Sequence, residues 1–331
     1  MELSIAQHVF SNYFDDAQVI DYSVVNNGLI NKTYKLDTSQ GIYILQEINQ
    51  KVFNEPELAL ENIKKVSIWL KEHEFNYAFP TPIHFTYKFF FDKLWRLLPY
   101  INATSYNEIK NKKMVSNATV CIADFYRLLD QFPVQDLHVT IPHFHHGQYY
   151  IDEFHKALNH CSSERKTQAT QEINHIKSAL EELACFDEVV RQLPNRVVHF
   201  DTKISNFLFD EDFNVKALID LDTLMPGSIL SDVGDMIRTY SNKLGEESTD
   251  FDLIKADPET VETIVDSILQ HTQLTDLEKN HLFFAGKAIT LMQSIRFLTD
   301  FLKGDVYYAI NHPFHNLNRA KNQFILYDSM N

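Results

Sequence analysis

Residues 197–222 carry the run Val197-Val198-His199-Phe200-Asp201-Thr202-Lys203-Ile204-Ser205-Asn206, then Phe207-Leu208-Phe209, a polar turn at Asp210 to Asn214, and Ala217-Leu218-Ile219 ahead of Asp220-Leu221-Asp222. Short apolar runs alternating with polar loops predict a strand, loop, strand, turn, strand unit. Asp201 then sits on a loop after a strand, Asn206 follows five residues later, and Asp220 lies at a strand end. An acid placed like Asp201 can accept or orient the proton of an attacking hydroxyl. The amide oxygen of Asn206 and the carboxylate of Asp220 are hard donors of the kind Mg²⁺ prefers, with phosphate oxygens and water completing its shell. Lys203 can supply positive charge to a transferred phosphoryl group, and His199 is expected to brace the loop through hydrogen bonds. These are the side chains that phosphoryl transfer asks for. Asp201 and Lys203 are therefore the candidate catalytic residues, and Asn206 and Asp220 the candidate metal ligands.

Upstream of this unit the pattern is strand-rich. From Val19 to Ile48, β-branched and aromatic runs are punctuated by Asn26-Asn27-Gly28 and Thr38-Ser39-Gln40-Gly41, which predicts strands joined by hairpin turns. Pro56 opens a helix in which Leu60, Ile63, Ser67 and Leu70 share a face and Glu61 precedes Lys65 by four. Ile83 to Tyr87 and Leu94 to Ile101 read as two further strands. After Asn102 the pattern turns helical, with segments at 117–131, 149–160, 171–191, 259–270 and 277–303. In the last, Phe284, Ala288, Leu291, Ile295, Leu298 and Leu302 step by fours and threes and predict a core stripe. The expected fold is α+β: a small antiparallel-sheet N-lobe with its hinge at 1–101, and a larger, mainly helical C-lobe at 102–331.

Composition narrows the classes. The chain has 331 residues, 44% of them hydrophobic, and only 8 glycines, enough for two cores and little linker. A formal charge of -15 with no lysine or arginine run argues against a nucleic-acid partner, which would need a basic face. Cys121, Cys161 and Cys185 are far apart and suggest neither a disulfide framework nor a zinc site, so a cytoplasmic location is expected. The start of the chain does not read as a signal peptide. The most apolar region, Phe283 to Leu302, is interrupted by Lys287, Gln293, Arg296 and Asp300, so no membrane association is expected.

With these motifs in place, the chain resembles the aminoglycoside phosphotransferase and choline kinase superfamily, whose loop is matched here by Val198 to Asn206 and whose acid is matched by Asp220. The run Asp220 to Gly227, continued by Ser231-Asp232-Val233-Gly234-Asp235 and Ile237-Arg238, is similar to the N-acetylhexosamine 1-kinase branch. So are Tyr43-Ile44-Leu45-Gln46 with Ile48-Asn49, Trp95-Arg96, Ile141-Pro142 with Phe144-His145, Arg296 to Asp300, and Gly304 to Tyr307. The resemblance spans about Asn26 to Tyr327 and implies a bilobal, protein-kinase-like fold.

It also implies a nucleotide side in the first lobe. Gly28 stands nearly alone where a glycine-rich loop would cover the phosphates, so the backbone amides of Asn27 to Asn31 are the candidate donors, with a plain hairpin as the competing reading. On the strand Ile42 to Ile48 the position of the phosphate-gripping lysine is taken by Gln46, a residue the sugar-kinase branch is also expected to carry. Either other cations compensate or affinity rests more on Mg²⁺. Glu61 is the helix acid expected to face that strand, unless it only pairs with Lys65. Leu98 to Ile101, including Pro99 and Ile101, form the expected hinge against adenine.

For the acceptor, strand alternation would place Asp222 on the face of Asp220, either touching a sugar or supporting the metal residues. His145 matches a branch motif for sugar contact; the histidines around it read otherwise as surface loop, since no tight ligand spacing supports a metal site. Arg296 and Tyr307 are implied to close the acceptor pocket, with an Arg296–Asp300 ion pair as the alternative for the arginine. Asp232, Asp235 and Arg238 read as buried or capping support. The implied activity is ATP- and Mg²⁺-dependent phosphorylation of the anomeric hydroxyl of an N-acetylhexosamine such as N-acetylglucosamine or N-acetylgalactosamine. Its rivals are a choline, homoserine or aminoglycoside kinase, and a non-catalytic nucleotide- or sugar-binding protein that keeps the fold.

Overall fold

The computed structural model describes residues 1–25, 31–50 and 55–330. It is an α+β protein with an antiparallel sheet in its N-terminal region and helices through most of the rest. The elements run α1 (Leu3–Ser11), β1 (Val19–Val25), β2 (Lys32–Thr38), β3 (Gly41–Ile48), α2 (Pro56–Glu72), β4 (Lys88–Phe90), β5 (Lys93–Pro99) and β6 (Thr104–Ser105). Then follow α3 (Lys112–Leu129), α4 (Gly147–His160), α5 (Ser163–Gln168), α6 (Thr170–Val190), β7 (Arg196–Val198), β8 (Phe207–Phe209), β9 (Val215–Leu218) and β10 (Met225–Gly227). The chain closes with α7 (Ile229–Ser241), α8 (Pro258–His271), α9 (Asp276–Lys303) and α10 (His315–Asp328). No helix among the described residues is long and apolar enough to cross a membrane.

Two compact units divide the chain: residues 1–107, 131–141 and 205–226 form the first, and 108–130, 142–204 and 227–331 the second. The split expected after Ile101 is contiguous, and these units are not. Pairing explains the return of 205–226 to the first unit, because β8 pairs with β6 and β9, while Ala78 exchanges backbone bonds with Lys216 and Leu218. Asn62 ties in 131–141, its side chain bonding both the N–H and the carbonyl of His138 at 2.8 Å.

In the first unit the antiparallel sheet has the order β1-β2-β3-β5-β4. Side chains alternate across a strand, so each face has its own task. Tyr34, Leu36, Leu45, Trp95 and Leu97 project into a core closed by Ala6, Val9, Phe10 and Tyr13 from α1 and the segment after it. The intervening positions Thr33, Lys35, Ile44, Gln46, Arg96 and Leu98 line a cavity on the other face. The strand expected at Ile83 to Tyr87 is instead a short 3-10 turn, with φ of 61° at His84 and 46° at Phe85. Strand β4 lies just beyond, joined to β5 through Phe91 and Asp92, both at positive φ as a tight two-residue hairpin requires.

In the second unit α9 is the central element and is packed by α4, α6, α7 and α10. It starts in a capping box between Thr275 and Glu278 and stops at Gly304, where φ is 97°. Its burial exceeds the expected stripe, since Ala285, Ile289, Met292, Phe297 and Phe301 are buried as well. Helix α7 approaches closely at Gly234, where an added Cβ would lie 2.5 Å from Ile289 Cγ1 and 2.7 Å from the Ala285 carbonyl oxygen. Gly234→Ala is accordingly expected to destabilise the protein by about 1–3 kcal/mol through overpacking, read as a lower urea midpoint.

Candidate active site

The first unit holds a cavity of about 290 Å³ whose walls are graded from apolar to polar. Val25, Ile44, Ile63, Leu98, Leu208 and Ile219 supply apolar surface, and Pro99, Tyr100 and Ile101 supply the chain segment after β5. Gln46, Arg96, Asn206 and Asp220 line it as well. Asn206 and Asp220 are neighbours because the Ile219 N–H donates to the Asn206 carbonyl at 2.9 Å, where the β8–β9 hairpin opens. Asp220 has φ 62° and ψ 60°, a left-handed conformation that aspartate tolerates better than most residues. Asp220 therefore ends the strand, and Leu221 to Thr223 turn into a 3-10 helix. Among the described residues no group of three or more His, Cys, Asp or Glu side chains could hold a metal ion. A site built from Asn206 and Asp220 suits Mg²⁺, which takes few protein ligands when phosphates and water provide the rest.

Behind Gln46 lies a buried polar network. The Arg96 guanidinium is 3% exposed and grips the Asp222 carboxylate with both terminal nitrogens, the Nη2–Oδ2 bond being 2.8 Å. Its Nε donates to Gln46 Oε1 at 2.8 Å, and Gln46 Nε2 donates in turn to Thr33 Oγ1 at 3.0 Å. Asn31 Nδ2 donates to Asp222 Oδ2 at 3.0 Å, and Asn31 Oδ1 receives the Asn49 N–H. Burial would drive the Arg96 proton off, but Asp222 outweighs it and the guanidinium holds its charge more tightly than usual. Burial pushes the neighbouring Tyr87 hydroxyl up to about 12, with Arg96 opposing.

The second unit contains the loop before the hairpin. Phe200 has φ 65°, unusual for an aromatic residue, and the surroundings hold it there. The N–H groups of His199 and Phe200 donate to the Asp232 carboxylate at 3.0 and 2.6 Å, and Tyr126 donates its hydroxyl to the same group at 2.5 Å. Thr202 Oγ1 donates to the Asp232 carbonyl, and Tyr240 donates to the Thr202 carbonyl. The Phe200 ring rests against Gly227, where any Cβ would collide with it. Asp201 is presented from this frame, its N–H on His199 Nδ1 at 3.3 Å and its Oδ2 on Lys203 Nζ at 2.7 Å.

The same unit groups Arg296 with aromatic rings. The guanidinium lies 5.2 Å from the Phe144 ring centre, 5.4 Å from Tyr150 and 5.8 Å from Tyr308, within cation–π range. Its side-chain hydrogen bond is to Gln293 Oε1 at 2.8 Å, and it makes no ion pair among the described residues. The alternative pair with Asp300 is not formed, because the Asp300 carboxylate receives the N–H groups of Val306, Tyr307 and Tyr308 and the Asn316 amide. Burial, helped by Arg296 and Arg238, lowers the His145 imidazole to about 3, so the ring is neutral at ordinary pH. Burial pushes the Asp235 carboxyl up, against the pull of Arg238.

The profile of the phosphotransferase enzyme family matches residues 21–252, well over half of the chain. This protein belongs to that family. Solved structures agree in fold. An aminoglycoside phosphotransferase from Alicyclobacillus acidocaldarius aligns over 98% of this chain and 94% of its own, with 14% identity and a TM-score of 0.64. Ethanolamine kinase from Plasmodium vivax aligns over 96% and 85%, with 17% identity and a TM-score of 0.55. Amicoumacin kinase, solved with AMP-PNP, Ca²⁺ and Ami, aligns over 92% and 87%, with 14% identity and a TM-score of 0.57. At these identities the likeness shows that the phosphotransferase has a kinase-like fold.

Of the residues expected at the nucleotide side, Gln46, Pro99, Ile101, Asn206 and Asp220 share one cavity in the phosphotransferase. Asn31 is not among its lining residues, its side chain being taken up by Asp222 and Asn49, and positions 27–30 of the expected turn, with Gly28, lie outside the described residues. Glu61 needs correction. Its exposed carboxylate pairs with His138 Nε2 at 2.9 Å, while Lys65 donates to the Asp136 carbonyl. The buried face of α2 is Ala59, Asn62, Ile63, Val66 and Leu70, so position 61 turns away and Ile63 reaches the cavity. For Asp222, the left-handed turn at Asp220 ends the alternation that would have set the two on one face, and Arg96 and Asn31 bind its oxygens. Tyr307 is 58% exposed and touches the Arg296 group through its edge contact with Tyr308. Arg96 had no role assigned from sequence. The available signal was a lone charge in Leu94-Trp95-Arg96-Leu97-Leu98, and its partner is 126 positions away.

Proposed function

We propose that this phosphotransferase is an ATP-dependent small-molecule kinase that phosphorylates the anomeric hydroxyl of an N-acetylhexosamine. Adenine would lie between the apolar walls near Pro99 to Ile101, with the phosphate chain toward Gln46, Arg96, Asn206 and Asp220. Asn206 and Asp220 would hold Mg²⁺, which when bound offsets the charge on the phosphate oxygens. Gln46 brings no charge to the phosphate-gripping position, but it orients a residue that does: its Oε1 fixes the Arg96 guanidinium at the cavity wall. Arg96, whose charge is shared with Asp222, is the candidate compensating cation. Asp201 would take the acceptor's proton, with Lys203 holding the carboxylate in place until charge develops on the phosphoryl group.

One observation supports a neutral sugar over a cationic acceptor: Arg296 is walled by aromatic rings and carries no paired anion among the described residues. An ammonium ligand would meet repulsion there, whereas a ring face and a carbonyl or hydroxyl oxygen would find stacking surface and donors. This favours an acetamido sugar over choline or an aminoglycoside. A screen of free sugars for ADP release tests the reading, and N-acetylglucosamine or N-acetylgalactosamine should stimulate turnover where choline and aminoglycosides do not. Chelation with EDTA should abolish that turnover and added Mg²⁺ restore it, while Asn206→Ala should raise the Mg²⁺ needed for half-maximal rate by about tenfold or more.

A further inference from the structure

Among the described residues the second unit leaves five buried side-chain atoms without hydrogen-bond partners, and two of them, on Asp235 and His145, belong together. Asp235, on α7, is 4% exposed, and its Oδ1 accepts both Nε and Nη2 of Arg238 at 3.1 and 2.8 Å. Its Oδ2 meets no donor among the described residues, and neither does His145 Nδ1 find a partner. Arg238 cannot also serve Oδ2, because its Nη1 is given to Glu246 and Gln323. The two orphans sit in one electrostatic neighbourhood: Asp235 feels Asp201, Lys203 and Arg296, while His145 feels Arg296, Arg238 and Asp201.

A buried carboxylate oxygen without a donor is costly, and native proteins keep few of them. Asp232, three residues earlier on the same helix, illustrates the difference, since each of its oxygens is satisfied by the loop it braces. Asp235 was expected to be support of the same kind, yet only half of its carboxylate is used. Close packing of the adjacent Gly234 on α9 leaves the backbone that carries Asp235 little room to move and find another donor.

We infer that Asp235 Oδ2 accepts a hydroxyl of the acceptor, His145 and Arg296 belonging to the same subsite, so that Asp235 sets acceptor specificity. The ligand this site takes is a neutral polyhydroxylated molecule offering an O–H to Asp235 and an oxygen acceptor to Arg296. A cationic group would be discouraged by the guanidinium groups of Arg238 and Arg296. The inference rests on the proposed kinase reading for its assay and concerns which hydroxyls are recognised.

Steady-state kinetics of wild type and Asp235→Asn, on N-acetylhexosamines and their mono-deoxy analogues, test it. The substitution keeps the volume and replaces a charged acceptor with a neutral amide. The acceptor KM should rise about 10- to 100-fold, the value of one charge-assisted hydrogen bond, with the ATP KM unchanged. One deoxy analogue should lose a similar factor on the wild type and almost nothing further on the variant, since both changes delete the same bond. Equal effects on acceptor and ATP, no effect on the acceptor, or full additivity for every deoxy analogue would overturn the inference. A thermal melt of the variant separates these outcomes from loss of folded protein. Turnover by the wild type of a different hydroxylated acceptor would sink the sugar reading alone, and the same cycle on that acceptor would still decide the role of Asp235.

Discussion

Asp201→Ala is expected to lower kcat by about 10²- to 10⁴-fold, the range a positioned general base contributes, while leaving the KM for ATP nearly unchanged. The reason is local. Asp201 sits on a loop whose geometry is imposed by Asp232, Tyr126, Thr202 and Tyr240, so removing its carboxylate should not release the frame. Lys203, which pairs with that carboxylate, is partly exposed and can find water once the carboxylate is gone. Nucleotide binding is proposed for Gln46, Arg96, Asn206 and Asp220, which line one cavity and do not include Asp201. Single-turnover measurement with saturating ATP should show a slow chemical step after normal binding. A variant with undiminished kcat would remove Asp201 from the chemistry.

The second large effect concerns Arg96. Arg96→Gln leaves the Asp222 carboxylate buried with Asn31 as its remaining side-chain donor, a loss of about 3–5 kcal/mol for one partner of a buried pair. The double change Arg96→Gln with Asp222→Asn removes both charges and should recover most of that stability. It should not recover nucleotide binding. If Arg96 is the cation that stands in for a lysine at position 46, both variants should bind ATP and ADP about 10- to 100-fold more weakly, with adenosine affinity unchanged. Calorimetry with the three nucleotides separates the cases. Equal losses for adenosine and ATP would mean that Arg96 only holds the sheet together.

These expectations rest unevenly on what the chain displays in one dimension. Helices α4, α6, α8 and α9 lie within a residue or two of their expected limits because their apolar positions recur at helical spacing. Helix α3 begins five residues before its expected start, where Asn111 caps the N–H of Met114. Helices α7 and α10 escaped pattern reading for the opposite reason: buried polar residues such as Ser231, Asp232, Asp235, Asn316, Asn322 and Gln323 interrupt any apolar stripe. Helix α1 carries its own short apolar pattern, with Ala6, Val9 and Phe10 on one face.

The site divides in the same way. Asp201, Asn206 and Asp220 are close in sequence and stand out by spacing, whereas Arg96 and Asp222 acquire meaning only when the fold joins them. Asp235 is subtler still, because the telling fact is a hydrogen bond that it does not make, and no sequence pattern reports that.

The most direct test is identification of the product by ³¹P NMR and mass spectrometry after incubation with Mg-ATP and N-acetylglucosamine or N-acetylgalactosamine. The expected result is ADP together with an acid-labile phosphate on the anomeric oxygen. ADP formation that no amino sugar stimulates, or an acid-stable phosphate on another hydroxyl, would contradict the account.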